Sequence, residues 1–179
     1  MAKEEKKYPI KLALPAKFMW AKVFENNRDR EGPNGAWKDV GGKTSVICLF
    51  DKATAKKLKD AGSSKKIDKV NDDGLVEVQL TRDWKNEDWP QYAGPPFVFH
   101  ADGKTPWDVD TDGFIGNMSD GIVYLNVYKT GIYFGTRLDG LQIVNHVPYV
   151  SKGGYDLPDL SDNPEEEEEE KPKAKPKAK

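Results

Sequence analysis

From Leu75 to Arg82 the chain alternates without a break, with Leu75, Glu77, Gln79 and Thr81 on one side and Val76, Val78, Leu80 and Arg82 on the other. A period of two held over that length is a half-buried β-strand and fits no helix. The other apolar stretches are also of strand length. Ala16 to Phe24 places Phe18, Trp20 and Phe24 at period two, with Lys17 off that face. Thr44 to Phe50 reads as a largely buried strand, and Phe97 to His100 as a short one. Ile122 to Tyr128 leads through the tight turn Lys129-Thr130-Gly131 into Ile132 to Arg137, and Leu141 to Val150 closes the body, with Leu141, Ile143 and Val147 inward. One helix interrupts them: Asp51 is its N-cap, Ala53 to Ala61 its body and Gly62 its stop. About five to seven short strands, one short helix and long polar loops describe a mainly β protein, a small β-barrel.

The 179 residues leave room for one such domain. Residues 1–12 read as a flexible arm, residues 13–152 as the folded domain, and residues 153–179 as a disordered polyampholyte tail. That tail holds an acidic run, Glu165 to Glu170, followed by Lys, Pro and Ala from Lys171 to Lys179. From Gly153 onward the composition cannot form a core. The formal net charge of −2 conceals a split between a basic first half and an acidic second one. A basic face built from the first half can attract a polyanion. The first residues carry no apolar run and no stretch approaches membrane-spanning length, so the expectation is a cytoplasmic protein with no membrane contact.

Few residues point to catalysis. Gly41-Gly42-Lys43-Thr44 resembles the end of a phosphate loop, but Trp37 stands where a glycine is required, and a strand follows where a helix is needed. Asp108, Asp110, Asp112 and Gly113 resemble the opening of a calcium loop, yet Ser119 occupies the position of its bidentate glutamate, so an acidic turn is the reading. Cys48 is the one cysteine and lies mid-strand, a poor place for a nucleophile, and His100 and His146 stand apart. No cofactor and no metal is expected, and the chain is not read as an enzyme.

Aromatic residues beside cations are the stronger signal: Trp20 near Lys22, Trp37-Lys38, Arg82 near Trp84-Lys85, Tyr128-Lys129. Phe18, Phe50 and Phe97 read as packing, whereas Trp37, Trp84 and Trp89 lie in polar loops with little core to join. A ring on a rim can stack on an unpaired base while the neighbouring cation holds the phosphate, whatever the base.

Three stretches carry a resemblance to a known family. They are Gly94-Pro95-Pro96 with Ala101-Asp102-Gly103, then Phe114-Ile115-Gly116-Asn117-Met118-Ser119, then Gly135-Thr136-Arg137-Leu138 through Leu141-Gln142-Ile143-Val144 to Val147-Pro148-Tyr149. Over about residues 14–150 the chain resembles the phage-encoded single-stranded DNA-binding proteins with an OB fold. The resemblance implies an OB barrel that binds single strands of any sequence and acts in DNA replication, recombination and repair. It also implies an acidic tail that recruits DNA polymerase, helicase-primase and a recombination nuclease, a place in the host cytoplasm, and the possibility of a homodimer. Met118 stands where the family pattern has a second glycine, and a Lys/Pro/Ala stretch follows the glutamates where family tails end acidic.

On this reading Lys17, Lys22, Lys38, Lys43, Arg82, Lys85 and Arg137 neutralise phosphates, and Trp20, Trp37, Trp84, Trp89 and Tyr128 stack on bases. Glu165, Glu166, Glu167, Glu168, Glu169 and Glu170 form the partner-binding tail that modulates DNA binding. The alternative is a phage structural component or an acidic-tailed interaction protein or chaperone with no preference for single strands. An OB-type carbohydrate binder is a further rival.

Overall fold

The computed structural model describes residues 5–31 and 42–149. Trp37, Lys38 and the run Glu165 to Glu170 lie outside the described residues, as does the whole of the proposed tail.

The elements run β1 (Ile10–Lys22), β2 (Lys43–Phe50), α1 (Lys52–Asp60), β3 (Val76–Asp83), β4 (Phe97–His100), α2 (Val109–Asp112), β5 (Ser119–Thr130) and β6 (Tyr133–Asn145). The strands form one sheet in the order β3-β2-β1-β5-β6-β4. All neighbours are antiparallel except β4, which runs parallel to β6. A three-stranded meander β1-β2-β3 with the β5–β6 hairpin on the other side of β1 is the strand order of an OB barrel, with β4 added outside it.

The sheet is open along its β3–β6 seam, where a side chain takes the place of a ladder. Arg82, at the end of β3, donates to the carbonyls of Gly94 (2.9 Å), Ala93 (3.1 Å) and Leu138 (3.4 Å). It also meets Asp139 of β6 at 3.4 Å. Asp139 is available there because β6 carries one extra residue at this point: Tyr124 pairs with Gly140 while Leu125 pairs with Leu138. Burial and the neighbouring Arg137 charge hold the Arg82 guanidinium below its ordinary value, against the pull of Asp139 and Asp83.

Phe18, Phe50, Leu58, Leu80, Leu125, Leu138 and Leu141 are fully buried and fill the barrel. Helix α1 closes one end through Ala55 and Leu58. Asp51 Oδ1 accepts from the Thr54 amide at 2.6 Å, and Gly62 takes a left-handed φ of 93°, so the cap and stop are those expected from the sequence. Cys48 is wholly buried, and that burial pushes its thiol pKa upward.

Three departures from the sequence reading have identifiable causes. The first concerns the arm: β1 begins at Ile10, inside residues 1–12. Ile10 and Leu12 pair with Val127 and Leu125 and pack on the core, and the Tyr8 hydroxyl donates to Ala61 O at 3.2 Å. Secondly, Trp20 leaves the Phe18 face. A bulge lies between Met19 and Lys22, with Trp20 at φ 50°, so Ala21 and Val23 turn inward instead, and Trp20 is 60% exposed. The Asn117-Met118 turn secures it: Asn117 Oδ1 accepts from the Trp20 amide at 2.8 Å, and the Met118 amide donates to Phe18 O at 2.9 Å. Met118 itself sits at φ 70°, so the turn keeps a left-handed shape with a residue other than glycine. Thirdly, Ile132 to Arg137 and the segment from Leu141 form one strand, β6, continuous through the Asp139 bulge. It ends at Asn145 and leaves Val147 exposed.

Arg82→Met leaves several seam carbonyls without a donor, so it is expected to lower the unfolding free energy by about 3 kcal/mol, read from urea denaturation. A loss below about 0.5 kcal/mol would show that the seam is held by other means.

Acid should act on the turn after β4. Asp102 accepts from the Thr105 hydroxyl (2.6 Å), the Thr105 amide (2.9 Å) and the Lys104 amide (2.8 Å). These bonds lower its carboxyl from the ordinary 3.8 to about 2. Because the folded pKa is depressed, the stabilisation is complete well above pH 4 and is lost as pH falls towards about 2. The Thr105 amide proton should titrate with that midpoint, and Asp102→Asn should abolish the titration.

Candidate nucleic-acid interface

The chain after β3 crosses the seam instead of returning along the sheet. Pro90–Tyr92 forms a single 3₁₀ turn, which sets Trp89 and Tyr92 three residues apart and their rings 6.3 Å from one another. On the facing side the β5–β6 hairpin presents Tyr128 and Arg137. The Arg137 guanidinium lies 4.7 Å from the Tyr92 ring and 5.7 Å from the Tyr128 ring, an arrangement of cation between aromatic faces. These groups line a cleft of about 560 Å³, shared with Tyr8, Arg82, Asn126, Lys129 and Thr136.

The cleft is built by its backbone as much as by its rings. Tyr128 pairs directly with Gly135, and a Cβ on that glycine would collide with the Tyr128 ring, so the ring packs directly over bare backbone. Asp139 ties the two arginines together, accepting from Arg137 Nε at 3.3 Å while it meets Arg82. Arg137 therefore has an anchored Nε and a plane held between rings. The Lys129 ammonium lies 5.7 Å from the Phe134 ring beside it. Trp89 (59% exposed), Tyr92 (49%) and Tyr128 (38%) all keep open surface for a ligand.

Of the residues singled out from the sequence, the structure brings Arg82, Trp89, Tyr128 and Arg137 to this cleft. Arg82 is there as the seam bridge, its donors already engaged. The others lie elsewhere. Phe18 pairs with Ser119, so Trp20 sits near the start of β5, some nine residues from Tyr128, or about 30 Å along the strand. Trp84 is half-buried beneath the Arg28 guanidinium, 4.8 Å from its ring, and faces a different groove lined by Pro95, Pro96 and Phe97. Lys22 pairs with Asp29 at 2.6 Å, and Lys43 approaches Asp83 at 3.9 Å. Lys17 is exposed on β1, opposite Asp120 and Leu49, and Lys85 is exposed just after β3.

Tyr92, Lys129 and Asn126 were not among the expected site residues. The spacing of Trp89 and Tyr92 around Pro90 carries a signal for Tyr92, since one 3₁₀ turn eclipses positions three apart. Asn126 stands between Leu125 and Val127 in an otherwise strand-forming run, an unusual residue at a buried strand centre.

A second hollow lies on another part of the body. There His100 Nε2 meets Asp112 Oδ2 at 2.8 Å, and Trp107 packs between His100 and His146 at 4.6 and 4.7 Å. The Asp108 backbone amide first, and His100 as well, hold the Asp112 carboxyl below its ordinary value. The acidic turn read as Asp108 to Gly113 is thus a one-turn helix whose carboxylates are used locally: Asp108 caps it through the Asp110 amide and Asp112 binds back to the Asp108 amide. Among the described residues no cluster of His, Cys, Asp and Glu is arranged to hold a metal ion. Among them, too, no helix is long and apolar enough to cross a membrane.

No family model matches the sequence, and no curated protein matches it. Solved structures do. The single-stranded DNA-binding protein of bacteriophage Enc34, in a C-terminally truncated form, is similar at a TM-score of 0.46 and 11% identity, over 79% of this chain and 88% of that one. The same phage protein in complex with single-stranded DNA gives 0.45 and 12%, over 81% and 89%. The single-stranded DNA-binding protein gp2.5 encoded by bacteriophage T7 is similar at a TM-score of 0.49 and 13% identity, over 89% of this chain and 97% of that one.

Proposed function

We propose that this chain binds single-stranded DNA without regard to sequence, using the cleft between the Trp89–Tyr92 turn and the β5–β6 hairpin. The observation that carries the reading is the stack of Tyr92, Arg137 and Tyr128 with Trp89 on its rim. Rings held open beside a fixed guanidinium suit a ligand that offers flat apolar faces and a negative charge in alternation, as an unpaired strand does. Duplex DNA hides its faces in the base stack, and a sugar carries no phosphate for Arg137 and Lys129. The phosphate contacts are assigned to Arg137 and Lys129 in the cleft, with Lys17, Lys22, Lys43 and Lys85 as candidates for further contacts along a longer strand. Trp20 and Trp84 are proposed for that extension and not for the central stack, and Trp37 and Lys38 stay candidates from the sequence.

A role in replication, recombination and repair, alongside a polymerase, a helicase-primase and a nuclease, in the host cytoplasm, is the biological setting that fits such binding. The acidic run would recruit those proteins and compete with DNA for the same cations. A protein-interaction role is favoured by one feature: Ile132 (81% exposed) and Tyr133 (75%) form an apolar tip on the β5–β6 hairpin. Self-association through that tip would give a homodimer, and sedimentation at two concentrations distinguishes it from a monomer.

Titration of the intrinsic fluorescence with oligo-dT is expected to show quenching and an affinity that falls steeply with salt, since each phosphate contact releases about 0.7 counterion on a single strand. Trp89→Ala and Tyr128→Ala should each weaken binding about tenfold, and Trp20→Ala much less. Equal effects at all three positions, or an affinity unchanged by salt, would rule the cleft out. Deleting residues 165–179 should tighten binding to oligo-dT. Deleting 171–179 alone should weaken it if the terminal lysines touch DNA, and leave it unchanged or tighter if they do not.

A further inference from the structure

Asn126 violates the ordinary rule for a strand interior. It sits in β5 between two core residues, is 4% exposed, and its Oδ1 is buried with no hydrogen-bond partner among the described residues. Buried carboxamides almost always find partners, and one left without needs an explanation. Its position supplies one, because Asn126 lines the cleft and pairs across β5–β6 with Arg137, the cation held between the rings.

We infer that the Asn126 carboxamide receives the pairing edge of one unstacked base at the floor of the cleft. This rests on the single-strand reading above and adds a recognition element to it. A cleft of about 560 Å³ is of a size to take one nucleotide. The phosphate meets the Arg137 guanidinium, and the base that follows brings a donor to the orphaned oxygen of its strand partner Asn126. Every DNA base carries such a donor on its pairing edge: the ring N–H of thymine and guanine, the exocyclic amine of cytosine and adenine. An acceptor at that point detects that a base is present and unpaired without asking which one. In a duplex the same N–H is already engaged by the opposite strand, so Asn126 favours single strands by chemistry as well as by shape.

The test compares oligo-dT with the same oligonucleotide built from N3-methylthymidine, which keeps the ring and the phosphates but lacks the donor. Wild-type protein should bind the methylated strand roughly three- to tenfold more weakly. Asn126→Leu, close in size and apolar, should bind the two strands equally. Equal binding of both strands by the wild type overturns the inference and leaves the single-strand reading standing. A preference that persists in Asn126→Leu also overturns it. If the wild type binds neither strand, the single-strand reading fails and takes this inference with it. Should Asn126→Leu fail to fold, the wild-type comparison alone still decides.

Discussion

One guanidinium closes this barrel. A sheet of six strands in this order leaves β3 and β6 facing each other with no ladder between them, and Arg82 spans the gap to Leu138 and Asp139 while holding the Ala93 and Gly94 carbonyls of the loop after β3. Arg is suited to this because its donors lie in a fixed plane and stay charged when partly buried. The same residue anchors Ala93 and Gly94, so it also sets where the Trp89–Tyr92 turn stands. Through Asp139 it is joined to Arg137, and thereby to the rings of the cleft. Closure of the fold and placement of the candidate site are one set of contacts.

Two single-residue insertions do much of the remaining shaping. The bulge at Asp139 turns a carboxylate towards the seam, and the bulge at Trp20 expels a large ring that alternation would have buried. In each case one added residue reverses which side of the strand the following residues face. The Trp20 bulge is held by Asn117 and Met118, so the Gly-Asn-Met-Ser stretch has a structural role distant from the cleft.

This explains what could be read from the sequence and what could not. β2, β3, β4 and the capped helix α1 were legible because period, cap residue and glycine stop all agreed there. Trp20 was misplaced because a bulge leaves no mark in a hydrophobic pattern. The arm was drawn too long because Ile10 and Leu12 are diluted by lysines, although they pair with β5 and pack partly buried against the core. Arg82 looked like a phosphate ligand because it stands near Trp84, and nothing local says that its partners are Leu138 and Asp139, some 56 and 57 residues away. The convergence of Trp89 and Tyr128 on one cleft is likewise a product of topology, since only the crossing of the seam brings the loop after β3 to the end of β5.

The bare backbone under Tyr128 has a consequence for how a ligand would leave. Gly135 backs that ring and the Arg137 guanidinium stands 5.7 Å from its centre, so a ligand reaches only the part left open and rests on a shelf, not in a slot. A base resting on a shelf can slide off sideways and need not be threaded out, and neighbouring bases can follow one at a time. If the chain holds a single strand as proposed, such a shelf lets the strand be released progressively from one end.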